Sequence, residues 1–221
     1  MKTRFRDRTE AGELLSEQLT AYVNKPDVVV LALPRGGVPV GAQVAKKLNV
    51  PLDVFVVRKL GLPGHPELAM GAIASGGVRV FNGEVVNALR IPDEVINAVT
   101  AEEYQELQRR ERSYRGDLPP PEVEGRTAII VDDGIATGST MFAAIAALRQ
   151  LNASRIIVAT PTISRSTYDY LRKYADDVVA VIVPDEFYGV GQWYEDFSQT
   201  TDEEVHQLLA ETNHRAASVA A

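Results

Sequence analysis

The densest chemistry in this 221-residue chain lies in Asp132-Asp133-Gly134-Ile135-Ala136-Thr137-Gly138-Ser139-Thr140. Small and hydroxyl-bearing residues from Thr137 to Thr140, at the start of an expected helix, leave several backbone N–H groups free to surround a phosphate. No Lys follows a glycine at the spacing of a triphosphate-binding loop, and Gly36-Gly37-Val38-Pro39-Val40-Gly41 departs from the dinucleotide pattern at its third position. A nucleoside triphosphatase or a nicotinamide enzyme is therefore disfavoured. Two carboxylates directly before the cradle would repel a bare phosphate. Asp132 and Asp133 need a partner of their own, either vicinal sugar hydroxyls or a divalent cation bound through oxygen. Phosphate, diol and metal side by side describe a ribose 5-phosphate bearing further phosphate.

The elements that must position these residues follow from hydrophobic patterning. Apolar runs at 28–33, 54–57, 128–131, 156–159 and 178–183 are rich in β-branched residues and too short for helices, so they read as strands buried on both faces. Helix-length segments at 38–48, 139–151 and 165–174 separate them, and an amphipathic helix over 9–23, opened by Thr9 as cap, precedes them. This alternation predicts an α/β fold: an open, mainly parallel five-stranded sheet with helices on both faces. Ligands bind such sheets outside the carboxyl ends of the strands. The unusual residues fall there: Pro34-Arg35-Gly36-Gly37, Arg58-Lys59 with a Gly/Pro loop, the Asp132–Thr140 segment, Pro161-Thr162, and Pro184-Asp185-Glu186-Phe187-Tyr188-Gly189.

Residues 76–125 break the rhythm and read as a largely helical insertion, with a strand near 78–81 and a polar helix from 93 to about 114. Glu106/Arg110 and Glu111/Arg115 are spaced for ion pairs on its solvated side. Pro119-Pro120-Pro121 marks a stiff linker back to the core, and 185–221 reads as a hood with a short helix over 202–211 and a disordered tail. The whole, 1–221, is expected to be one domain.

Charge and composition narrow the function classes. Lys+Arg of 23 against Asp+Glu of 30 gives a net charge of −7, so nucleic acid and anionic membranes are not expected partners. The absence of cysteine excludes disulfides, thiolate catalysis and cysteine-bound metals and suits a cytoplasmic protein. No apolar signal region follows the basic start, no eighteen apolar residues run together, no His pair has metal-ligand spacing, and there is no Gly-x-Ser-x-Gly elbow.

Residues 128–140, four apolar residues, two acids and a Thr-Gly-x-Thr end, resemble the phosphoribosyl pyrophosphate signature of the type I phosphoribosyltransferases. Leu33-Pro34-Arg35-Gly36-Gly37 resembles that family's pyrophosphate loop, and Arg58-Lys59 to Gly71 stands where its mobile catalytic loop stands. The resemblance implies Asp132 and Asp133 on the ribose hydroxyls, Thr137, Gly138, Ser139 and Thr140 on the 5-phosphate, Arg35, Gly36 and Gly37 on the pyrophosphate, and Gly134 and Ala136 also among the donor-binding residues. Mg2+ would ride mostly on the donor, assisted by Asp132 and Asp133. Arg35, Arg58 and Lys59 would stabilise the departing pyrophosphate, and His65 or Glu67 could carry protons in the mobile loop. The Pro-Asp-x-Phe run resembles the 6-oxopurine enzymes and places Phe187, with Tyr188 and Trp193 as rivals, under a planar base. Ala136 and Pro161-Thr162 depart from that branch, where an Asp and a Lys stand. The implied activity is Mg-dependent transfer of the phosphoribosyl group to a nucleobase or related nitrogenous acceptor, as in nucleotide salvage, by a protein that could be a homodimer. A non-catalytic regulator binding the same ligand is the other reading.

Overall fold

The computed structural model describes residues 4–116 and 119–219, the side chains of 66, 67 and 214–219 excepted. Five parallel strands form the central sheet: β1 (Val28–Ala32), β2 (Leu52–Val54), β6 (Thr127–Val131), β7 (Arg155–Thr162) and β8 (Asp177–Ile182), in the order β2-β1-β6-β7-β8. Every residue of β1 and β6 is buried, as continuous apolar runs require. Val28, Val30 and Ala32 of β1 pack on one side with α1 (Arg8–Glu17), α2 (Gly37–Leu48), α4 (Asp93–Arg115) and α7 (Asp202–Val219). Val29 and Leu31 pack on the other with α5 (Ser139–Gln150) and α6 (Arg165–Leu171). The expected α/β architecture is thus the observed one.

Several boundaries differ, each for a local reason. The first helix is capped by Asp7, not Thr9: the Asp7 carboxylate accepts from Glu10 N, and the Glu10 carboxylate accepts from Arg6 N. It ends at Glu17, and a 3-10 turn at Thr20–Tyr22 follows. The apolar run at 54–57 serves two strands. It closes β2 at Val54, and from Val57 the chain enters β3 (Val57–Leu62), which pairs antiparallel with β4 (His65–Ala74). A third strand, β5 (Val78–Phe81), completes a separate antiparallel sheet in the order β3-β4-β5. The departure from the strand–helix rhythm therefore begins at Val57 rather than at Gly76. A short helix α3 (Gly83–Ala88) leads into α4. At the carboxyl end α7 continues to Val219 instead of stopping at Glu211.

The small sheet is held between α4 and α5: Leu60, Met70 and Ile73 are buried with Leu107 on one side, and Val57, Val78 and Val80 pack with Phe142 on the other. Only the tip projects, turning at Gly64 (φ 81°) after a register shift at Gly61. No helix among the described residues is long and apolar enough to cross a membrane.

One close approach bears directly on the site. A Cβ on Gly12 of α1 would stand 2.8 Å from Val40 O and 2.9 Å from Gln43 Cβ, so α1 crosses α2 with backbone against backbone. Replacing an exposed helical Gly by Ala ordinarily gains up to about 1 kcal/mol. Here Gly12→Ala should instead cost about 1–2 kcal/mol through overpacking. Urea unfolding of the two proteins would read the sign, and a stabilised variant would contradict the crossing geometry.

Candidate donor site at the carboxyl edge of the sheet

β1 and β6 are neighbours with Ala32 opposite Val131, so the loops that follow them emerge side by side. Leu33 N bonds Val131 O at 2.8 Å, after which Pro34-Arg35, joined by a cis peptide bond, turn the chain into α2. The two glycines there are a packing requirement. A Cβ on Gly36 would fall on the Asp133 carboxylate, and one on Gly37 would stand 2.7 Å from Val131 O and 3.0 Å from Asp132 Cα. The Arg35-Gly36-Gly37 turn and the Asp132-Asp133 pair, nearly a hundred residues apart in sequence, are in contact.

Ala136, Thr137, Ser139 and Thr140 are exposed, and Gly138 (φ 75°) ends the loop as the N-cap of α5 with no side-chain cap bond. The first N–H groups of α5 are thereby left for a ligand. The loop is fixed from behind by two hydroxyls that sequence reasoning missed: Ser164 Oγ (3.0 Å) and Thr167 Oγ1 (2.6 Å) both donate to Ala136 O. Ser164 also caps α6. The Ser-x-x-Thr spacing was visible, but its target, a carbonyl 28 and 31 residues away, was not.

The acid pair is not bare. Asp133 N bonds Asp132 Oδ1 at 2.9 Å, Tyr194 OH donates to Asp133 O at 2.5 Å, and Arg8 Nε meets Asp133 Oδ2 at 2.8 Å. Burial, then the Asp133 charge, raise the Asp132 carboxyl well above the usual carboxylate range. The same causes raise the Tyr194 phenol, which therefore stays protonated as a donor. The countercharge that the acid pair demands is supplied in part by the chain itself, through Arg8.

The other residues singled out are more dispersed. Arg35 lies 3.4 Å from Asp202 at the start of α7. Arg58 is paired with Glu103 of α4 at 2.7 Å, and Lys59, exposed, projects to the opposite face of the hairpin by strand alternation. Arg35 and Arg58 are thus engaged by different carboxylates, and β3 is anchored by the buried Leu60, with Leu62 also packed against the core. His65 is exposed near that tip, and Glu67 lies outside the described side chains. Phe187 is half-buried, 6.2 Å from the Trp193 ring. Tyr188 is 84% exposed, and Trp193 packs into a small cluster with Phe5, Ala11 and Val190. Thr162 Oγ1 and Trp193 Nε1 are buried without a hydrogen-bond partner.

Because Asp132 carries a raised carboxyl pKa, its contribution to stability is full below the unfolded value, about 3.9, and is lost as pH rises through the folded value. Asp132→Asn keeps the acceptor for Asp133 N and removes the buried charge. Unliganded Asp132→Asn should be more stable than wild type at pH 7, and the gap should close below about pH 4. Denaturant melts at the two pH values would test this, and equal stability at pH 7 would count against a strained acid pair.

Comparison with known proteins is consistent with this geometry. The model of the phosphoribosyl transferase domain matches residues 63–197, which include the acid pair, the cradle and the first part of the hood but not the Arg35 turn. Two Mycobacterium tuberculosis proteins, from strains H37Rv and CDC 1551, provisionally named as phosphoribosyl transferases, are 46% identical over 205 residues. Those residues are 93% of this chain and 46% of either relative, so the chain spans about half the length of the curated relatives it matches. The crystal structure of TT1426 from Thermus thermophilus superposes with a TM-score of 0.84 at 40% identity, covering 94% of this chain and 98% of that one. The domain match, carried by the same acid pair and cradle that the fold brings together, shows that the chain belongs to the phosphoribosyltransferase family.

Proposed function

We propose that the protein transfers the 5-phosphoribosyl group from phosphoribosyl pyrophosphate to a nucleobase or related nitrogenous acceptor and releases pyrophosphate. The observation that carries this reading is the contact between Gly36-Gly37 and Asp132-Asp133 beside the uncapped start of α5. On this reading the Gly36-Gly37 turn, the acid pair and the start of α5 would serve as pyrophosphate, diol and phosphate subsites, the order in which those groups occur on the donor.

In the proposed reaction a nitrogen of the acceptor attacks C1 of the ribose, the bond from C1 to the pyrophosphate oxygen breaks, and positive charge develops on the sugar ring while negative charge leaves. Arg35 faces the developing charge on the pyrophosphate. The N–H groups at the start of α5 hold the 5-phosphate, and the acid pair accepts from the ribose hydroxyls. The tip of the β3–β4 hairpin, beyond the bulge at Gly61, is the segment available to exclude water. Lys59 or Arg58 would join the site only if the hairpin or the Arg58–Glu103 pair rearranged.

The acid pair fits a magnesium ion carried by the donor better than a resident one. No group of three or more metal-ligating side chains occurs among the described residues, and one of the two carboxylates is paired with Arg8. Asp132, assisted by Asp133, would hold the ion once it arrives, and the ion would neutralise charge on the pyrophosphate. Phe187 is the best-placed of the three aromatic candidates for stacking on an acceptor, since Tyr188 stands in solvent and Trp193 packs inward.

The Arg58–Glu103 pair is the observation that favours a non-catalytic binder of the same ligand, because it withholds one expected catalytic cation. Turnover decides between the two. Calorimetric titration should show binding of phosphoribosyl pyrophosphate with magnesium, and a panel of nitrogenous acceptors should include one that elicits pyrophosphate release. Arg35→Ala should lower that turnover by about 10²- to 10³-fold. Binding without release across the panel would leave the binder, and a folded wild type that binds no donor would remove both readings.

A further inference from the structure

We propose that Arg8 is a positioning residue for the donor's ribose: it holds the Asp133 carboxylate in one orientation and so ties sugar recognition to the amino-terminal segment and the hood. The inference rests on the donor site proposed above.

The guanidinium is engaged on three sides. Nε donates to Asp133 Oδ2 at 2.8 Å, Nη1 donates to Ser198 O at 2.6 Å, and the plane lies 4.2 Å from the Phe197 ring centroid. The Arg8 and Asp133 side chains are only 12% and 13% exposed. This is unlike a surface ion pair, whose members exchange freely with water. Removing the cation would leave a largely desolvated carboxylate beside Asp132 with nothing to offset it. A planar fork that meets a carboxylate, a carbonyl and an aromatic face at once is a role that Lys does not reproduce.

The backbone around the pair is equally fixed. Phe5 N donates to Trp193 O, Glu195 N to Phe5 O, and Asp196 N to Arg6 O, at 2.8, 2.8 and 2.9 Å, so the segment entering α1 is laced to the hood. Phe5 is fully buried against Tyr194, whose hydroxyl reaches the Asp133 carbonyl. Arg8 engages one Asp133 oxygen, Oδ2, and through it fixes the orientation of the carboxylate. An Arg8 that were merely a stand-in for ligand would have no need of Ser198 O or the Phe197 face.

The test compares wild type, Arg8→Met and Arg8→Lys by calorimetry with two probes, phosphoribosyl pyrophosphate with magnesium and inorganic pyrophosphate with magnesium, which lacks the sugar. Thermal melts of the unliganded proteins establish that each is folded at the assay temperature. Arg8→Met should weaken donor binding by about 10- to 100-fold, the range found for groups that orient a ligating side chain, and weaken pyrophosphate by a clearly smaller factor, since the sugar hydroxyls are absent from that probe. Arg8→Lys, which keeps the charge and is the fallback if Arg8→Met does not fold, should weaken the donor by a smaller factor. Donor affinity that is unchanged, tightened, or lost in step with pyrophosphate would overturn the positioning role. A wild type that binds neither probe would overturn the proposed function itself, which separates the two failures.

Discussion

Two adjacent carboxylates at the end of the central buried strand are the constraint around which the site is arranged. Burial, and then the neighbouring Asp133 charge, hold the Asp132 carboxyl above the usual carboxylate range. The remaining features follow as compensations. Glycines at 36 and 37 let the neighbouring turn close on the pair, since any Cβ there would collide with it. Arg8 contributes the opposite charge, Tyr194 takes the Asp133 carbonyl, and Asp132 itself accepts from Asp133 N. A fold selected for stability alone would have no use for such a pair. Its retention at the cost of several dedicated partners fits strain stored at a functional site.

Two other arginines singled out from the sequence are also held in ion pairs, away from the acid pair. Arg35 meets Asp202 and Arg58 meets Glu103, in pairs that are partly exposed and therefore worth little each. The Arg8–Asp133 pair differs in kind: it is nearly closed to solvent and anchored on a backbone carbonyl and a ring.

What the sequence made legible follows the range of the interactions involved. Strands such as β1 and β6 declare themselves because residues buried on both faces are continuous apolar runs, and the cradle does so because a helix start with small hydroxyl residues is a local pattern. The 54–57 run misled because four apolar residues can as well be the end of one strand and the start of the next, and only pairing with β4 divides them. The hairpin read as a loop because its glycines and prolines are local signals, whereas Leu60 and Met70 are buried by α4, an element some forty residues on. Thr9 looked like a helix cap on composition, but the bonds of Asp7 with Glu10 N and of Glu10 with Arg6 N set the cap two residues earlier. Arg8, Ser164, Thr167 and Tyr194 were invisible for the same reason: each acts on a site residue 28 to 125 positions away.

That last distance has a mechanical consequence. Arg8 lies 190 residues from Ser198, and the ring beneath its guanidinium belongs to Phe197, where the family match ends. The part of the chain that carries the acid pair and the cradle therefore lacks the cation that orients the pair and the turn that closes on it. Contacts between such distant segments form only after the loop between them has been ordered by the rest of the fold. β1 must pair with β6 before Gly36-Gly37 can reach Asp132-Asp133, and α1 must cross α2 before Arg8 can reach Asp133. The donor edge is thus a property of the assembled sheet with both ends of the chain docked upon it, and its geometry is no more local than the core that supports it.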